Sequence, residues 1–144
     1  GVFRAIIYED AELRHVHLAL VSGEITPDVP VIVRVQTHRG VYDMLAEARG
    51  VRRWSVDAAL ERIAEEGAGV LVLLAYDDDT TTLDQRLRGE VGADGERREL
   101  RMLGAGSQIL ADLNVGKVKV RGTPLRTHAI SGFGLEVVDY VSQP

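Results

Sequence analysis

Four groups of residues in this chain carry chemistry by their type and spacing. Asp77, Asp78 and Asp79 put three carboxylates in a row, hard oxygen donors of the kind a Mg²⁺ ion accepts. They follow an apolar run, and α/β folds place ligand sites just beyond such strands. A single acidic run without a second source of ligands also reads as a solvated turn, with Thr80 or Thr81 capping the next helix. His15 and His17 lie two apart, so on a strand they share a face and could reach one metal ion. The alternation of Val16, Leu18 and Leu20 with them makes the aliphatic set the inward one and leaves the histidines to solvent. Glu99 and Arg101 could act as an acid–base pair, or as a solvated pair at a helix start, where the dipole favours the acid. Arg39, Arg52, Arg53, Arg121 and Arg126 could gather on a phosphate group bidentately, or form ion pairs with Asp43, Asp57 and the acidic run.

The elements that must position these groups are readable from periodicity. Residues 2–8 are apolar and β-prone, residues 15–20 alternate, and Pro30-Val-Ile-Val-Arg-Val35 reads as a third strand. Three β segments in the first 35 residues suggest a meander. Ser55 makes a good N-cap; Val56, Leu60 and Ile63 then fall on one helical face, and Gly67 or Gly69 closes the helix. Gly69-Val-Leu-Val-Leu-Leu-Ala75 is the continuous apolar run of a strand buried on both faces. Residues 88–99 are polar and Gly-rich and read as a mobile surface loop. Residues 100–113 form a second helix, with Gly104 and Gly106 in it. Gly104-Ala-Gly106 lacks the third glycine of a dinucleotide fingerprint and follows no strand, so it reads as close packing of a helix on a sheet. Residues 115–121 are a strand, residues 125–131 a short helix, and residues 135–141 the last strand. The expected fold class is α/β: a mixed sheet, antiparallel at its N-terminal end, with βαβ crossovers in the C-terminal half.

Composition narrows the functions. The chain has 144 residues, 17 basic and 22 acidic, for a net charge of −5, which argues against a general nucleic-acid binder. It has no cysteine, which excludes disulfides, iron–sulfur clusters and thiolate zinc sites. No apolar run approaches the roughly 20 residues that cross a bilayer, and no signal peptide is evident; a cytoplasmic location is the expectation. The chain opens at Gly1 directly into a strand, so residues 1–144 are expected to be one domain, excised from the C-terminal part of a longer protein.

Four stretches carry a family resemblance. They are Pro30-Val-Ile-Val-Arg-Val, Ala58-Ala-Leu-Glu-Arg-Ile-Ala-Glu-Glu-Gly-Ala-Gly-Val-Leu, Leu103-Gly-Ala-Gly-Ser-Gln-Ile-Leu-Ala-Asp-Leu-Asn-Val and Gly132-Phe-Gly-Leu-Glu-Val-Val. Together they resemble the helix and strand framework of the GTP cyclohydrolase II family, in order and at nearly its spacing. That family holds a zinc ion on Cys-x10-Cys-x-Cys, and the zinc activates the water that opens the purine ring. The matching positions here are Arg39, Gly50 and Arg52, while Asp43 and Arg49 keep the family pattern. The family's phosphate loop, Gln-Glu-Gly-Arg-Gly-Ile-Gly, is matched by Tyr76-Asp-Asp-Asp-Thr-Thr-Thr82. Its catalytic Asp-x-Arg is matched by Glu99-Leu-Arg101, its tyrosine falls near Glu90, and its Thr-Asn-Asn-Pro-x-Lys loop becomes Arg121-Gly-Thr-Pro-Leu-Arg126.

The resemblance implies a degenerate member of the family. No catalytic set is intact: Glu99 and Arg101 are vestiges, the zinc positions Arg39, Gly50 and Arg52 are vacant of donors, and no zinc is expected. Arg49, Arg121 and Arg126 remain as candidate ligand contacts. The domain commonly sits C-terminal to a 3,4-dihydroxy-2-butanone 4-phosphate synthase domain, so a structural or regulatory role beside a fused or partner synthase in riboflavin biosynthesis is implied, as a homodimer. Alternative readings are a nucleotide- or phosphate-sensing module, or an active GTP cyclohydrolase II, perhaps with its metal relocated to the acidic run.

Overall fold

A computed structural model describes residues 1–11, 15–50, 55–76, 79–90, 93–121 and 136–141. The described elements are β1 (Arg4–Glu9), β2 (Val16–Ser22), β3 (Val31–His38), α1 (Val41–Ala48), α2 (Val56–Glu66), β4 (Gly69–Ala75), α3 (Thr80–Leu87), α4 (Ala93–Asp112), β5 (Lys117–Arg121) and β6 (Glu136–Val141). The strands form one six-stranded sheet in the order β1-β2-β4-β3-β5-β6.

The sheet is mixed, as the sequence implies, but its antiparallel part is not a meander. β1 runs antiparallel to β2, and β2 then pairs antiparallel with β4 rather than with β3. β3 lies between β4 and β5 and is parallel to both, and β6 continues parallel beyond β5. The reason lies in the chain between β3 and β4. It holds two helices, long enough to cross over and return a parallel strand, which a tight turn cannot do. The C-terminal ends of β3 and β4 therefore open on one edge of the sheet.

β4 is the strand that both faces bury: Val70, Leu71 and Val72 are fully enclosed. On one face α4 lays Met102, Ile109 and Leu110 against Ala19, Val21, Val33, Val72 and Leu74. On the other, α2 packs Ala59 and Ile63 against Ile32 and Leu71. α2 starts where expected, with the Ser55 hydroxyl accepting the Ala58 N–H at 3.3 Å, and Gly67 closes it in the left-handed conformation.

Two expectations are corrected and one holds. Residues 93–99 belong to α4 rather than to a surface loop, because the helix continues through its polar first turns before its apolar face meets the sheet. The helix also passes unbroken through Gly104 and Gly106. A Cβ at Gly106 would stand 3.0 Å from Val35 Cγ1, so this glycine lets helix and sheet approach, as read. Finally, Asp79 caps α3, its Oδ1 accepting the Thr82 N–H at 2.7 Å, in place of Thr80 or Thr81. The helix expected at residues 125–131 lies outside the described residues. None of the described helices is long and apolar enough to cross a membrane.

Ile63→Ala and Leu110→Ala remove buried side chains from opposite faces of β4. Each is expected to lower unfolding stability by roughly 2–5 kcal/mol, measured as a shift in the denaturant midpoint. Truncation of the exposed Val41 is expected to change it by no more than about 0.5 kcal/mol.

Candidate functional site

The C-terminal end of β3 leads straight into α1, and this junction carries two of the positions singled out above. Gly40 precedes the helix with no side-chain cap. Asp43, three residues on and fully buried, reaches back instead: its Oδ2 accepts the Arg39 N–H at 2.5 Å. The bond fastens the residue before the cap to the first turn of the helix, while the Gly40 N–H itself donates to His38 Nδ1 at 3.3 Å. Asp43 therefore has a structural task at this turn.

At the other end of α1, Gly50 takes a φ of +76°, and its N–H donates to Glu47 O at 3.0 Å. A Cβ built there meets nothing within 4 Å, so the left-handed backbone, not crowding, favours glycine. A guanidinium at Arg39 and a missing side chain at Gly50 do not fit a zinc ion, which takes thiolate, imidazole or carboxylate donors. Arg52 lies outside the described residues. Among the described residues no group of three His, Asp or Glu side chains is placed to hold a metal; Asp77 and Asp78 fall outside them.

Arg49 ends α1 and is exposed. With Tyr42, Leu45, Arg86 and Leu87 it lines a hollow of about 290 Å³ between α1 and α3. The Arg86 guanidinium lies 5.9 Å from the centre of the Tyr42 ring, within cation–π range. Arg86 escapes sequence reading because α3 has no apolar periodicity to announce it.

The other candidates are dispersed. Arg121 is the last residue of β5; Val120 beside it pairs with Val33, so Arg121 lies about 17 Å short of the level of Arg39 at about 3.3 Å per residue. Arg126 is outside the described residues. Glu99 and Arg101 occupy α4 well beyond its start at Ala93, so the first-turn dipole argument does not reach them.

The histidine pair is placed opposite to expectation. Val16 is exposed, whereas His17 is 3% exposed and lies on the α4 side with Ala19 and Val21. Both faces of this sheet are covered, so alternation identifies two faces without saying which is buried more deeply. The backbone N–H of Ala75 donates to His17 Nδ1 at 3.1 Å, extending the β2–β4 ladder by one side-chain bond. The rings of His15 and His17 lie 4.9 Å and 5.1 Å from that of Tyr76. Burial, reinforced by the neighbouring His15, holds the His17 imidazole below its ordinary pKa, with Asp10 opposing. On β1, Tyr8 donates its O–H to Asp112 Oδ2 at 2.7 Å, tying the edge strand to α4. Burial and this bond push Tyr8 up to about 12.

The family whose description is GTP cyclohydrolase II matches residues 1–142. The chain belongs to the GTP cyclohydrolase II family. Within it, the chain is 37% identical to a protein of Pseudomonas syringae pv. tomato named 3,4-dihydroxy-2-butanone 4-phosphate synthase, over all of this chain and 41% of that protein. It is 38% identical to a protein of the same name from Pseudomonas aeruginosa, over 98% of this chain and 40% of the other. A riboflavin biosynthesis protein RibBA from Chlorobium phaeovibrioides is 33% identical over 98% of this chain and 38% of its own length. The GTP cyclohydrolase II-like chain thus spans about two-fifths of the relatives it matches.

His17 supplies a pH test. Its folded-state pKa is lowered, so the unfolded chain binds the extra proton first; the stabilisation is complete above about 6.5 and is lost as pH falls toward the folded value. Unfolding stability is expected to fall below pH 6.5 by at most about 1.4 kcal/mol per pH unit from this group, measured by denaturant titration across pH. His17→Gln is expected to flatten that part of the curve.

Proposed function

We propose that this chain is a non-catalytic GTP cyclohydrolase II domain, serving as a structural or regulatory part of a protein whose other domain is a 3,4-dihydroxy-2-butanone 4-phosphate synthase in riboflavin biosynthesis. The observation that carries this is the helix α1 junction. Arg39 and Gly50, at either end of that helix, stand at positions that in the resembling family bear zinc thiolates, and the chain has no cysteine to replace them. Without the Lewis acid there is no activated water to attack the purine ring. The acidic Asp79 and its neighbours Asp77 and Asp78 replace a phosphate-binding loop, and carboxylates there repel a triphosphate.

The pattern of relatives supports the same reading. Those from Pseudomonas carry the synthase name alone, and the shared region covers about two-fifths of each. A framework retained while its reactive loops change is what separation of fold from chemistry produces. The domain's task is then to join copies of the synthase, as a homodimer in the cytoplasm.

The hollow beside Arg49 and Arg86 supports a second reading, a module that binds a phosphate-bearing ligand. Two guanidinium groups bordering one cavity can grip a phosphate.

Two measurements separate these readings from catalysis. Metal analysis of the purified chain is expected to give far less than one zinc per chain, and incubation with GTP no formate above background; stoichiometric zinc or GTP-dependent formate release would refute the non-catalytic reading. Calorimetric titration with GTP, FMN and ribulose 5-phosphate tests the second. Binding that Arg49→Ala weakens about tenfold, the loss of one charge-assisted contact, supports a sensor; no binding at millimolar ligand leaves the scaffold.

A further inference from the structure

β1 stands at one end of the sheet order, and among the described residues no strand pairs with its outer side. The inner side fixes which backbone groups face outward. The Asp10 N–H donates to His15 O at 2.8 Å, so these two residues form a hydrogen-bonded pair at the end of the antiparallel β1–β2 ladder. Such pairs alternate with non-bonded ones. With Tyr8↔His17, Ile6↔Ala19 and Arg4↔Val21 in register, Arg4, Ile6 and Tyr8 turn their backbone groups toward β2. The same alternation carried across the sheet turns the Ala75 N–H toward β2, where His17 accepts it, and the Tyr76 N–H toward β3, where His38 accepts it. The N–H and C=O groups of Ala5, Ile7 and Glu9 therefore point away from the sheet.

The side chains at this edge are apolar in the same place. Ile7 is 73% exposed, and Val16 beside it on β2 is 54% exposed. Ile7 stands opposite Leu18 and Glu9 opposite Val16, so all four lie on one face, the face that α2 covers further along at Leu20 and Leu71. Edge strands are usually guarded by a lysine, a proline or a bulge. β1 has Ile6 and Ile7 at its middle and keeps an unbroken register with β2.

One occupant answers both features. We propose that β1 is the surface through which two copies of this chain associate, each β1 lying antiparallel to the other across a two-fold axis at Ile7. In that register Ile7 meets its own copy and Ala5 meets the partner's Glu9, so the outward N–H and C=O groups of all three residues find partners. The exposed Ile7 side chains pack on each other, with Val16 continuing the apolar strip. The charges fit as well. Arg4, exposed on the opposite face, stands across from the partner's Asp10, and no charged residue meets its own copy. A pairing centred on Glu9 would set two carboxylates face to face, which is destabilising. Any extended segment can supply main-chain bonds to a free edge; β1 itself also matches in apolar centre and in charge. The inference rests on the homodimer proposed above and names its surface; it is independent of zinc and of GTP.

The test is sedimentation equilibrium of the purified chain, for which a dimer is expected. Ile7→Pro removes an outward N–H and none of the bonds to β2, and Ile7→Lys sets two ammonium groups together. Each is expected to weaken the dimer by about tenfold or more with the circular dichroism spectrum unchanged. The chain has no cysteine, so Ile7→Cys supplies a single thiol. Paired residues of this kind have Cα atoms about 5.5 Å apart, within disulfide reach, and mild oxidation is expected to give a covalent dimer. Glu9→Cys is expected not to cross-link, because its two copies lie about 13 Å apart along the strands at about 3.3 Å per residue. A monomer even at millimolar concentration overturns the surface and the homodimer together. A dimer that neither Pro nor Lys at this position weakens overturns the surface alone, as does failure of Ile7→Cys to cross-link or cross-linking of Glu9→Cys.

Discussion

The parallel pairing of β3 with β4 is the interaction on which the rest depends. From Ile32↔Gly69 to His38↔Ala75 the two strands stay in register over seven residues, and the ladder ends with Tyr76 donating its N–H to His38 O at 3.0 Å. This brings the ends of both strands to one edge of the sheet. α1 with Arg39 and Asp43 departs from one, and the segment leading to Asp79 and α3 from the other. β4 can sit at this centre because every residue from Gly69 to Val72 is buried and because helices cover both of its faces. Two independent clusters, one under α4 and one under α2, hold it. The stability of this arrangement comes from apolar burial.

That division keeps the framework of the GTP cyclohydrolase II family separate from the turns and caps on which the proposed loss of chemistry rests. The residues in the two clusters belong to strands and helix faces, whereas Arg39, Gly50 and Asp79 belong to turns and caps. Each of the latter now has a local structural duty or none. Asp43 satisfies the Arg39 N–H, Asp79 caps α3, and Gly50 holds a left-handed turn open to solvent. A position can lose a metal ligand and keep its backbone geometry, because the geometry is fixed from within the sheet.

Much of the framework is legible in the sequence, for physical reasons that differ between elements. β4 announces itself as an uninterrupted apolar run, and α2 by Ser55, its apolar face and Gly67. α1 does not, since Val41, Met44 and Leu45 lie exposed and its only buried residue is Asp43. The start of α4 hides in a polar, Gly-containing stretch whose helicity is set by the packing of its later turns. Alternation along β2 marks two faces but assigns them wrongly, because aliphatic side chains cover one and His17 with Ala19 and Val21 the other. The proposed misfit of Arg39 and Gly50 to a zinc ion is readable from residue type alone. The tie between β1 and α4 is not, since it joins Tyr8 to Asp112, 104 positions apart, which no local pattern connects.

The central claim is that this member of the family is held by its two-faced core and has no metal in its folded state. The most direct measurement is the thermal midpoint of the purified chain with and without a strong zinc chelator, followed by added zinc. A ligand that binds the folded state alone must raise the midpoint, and its removal must lower it. The account predicts one midpoint under all three conditions. A midpoint that falls with chelator and returns with stoichiometric zinc would contradict it.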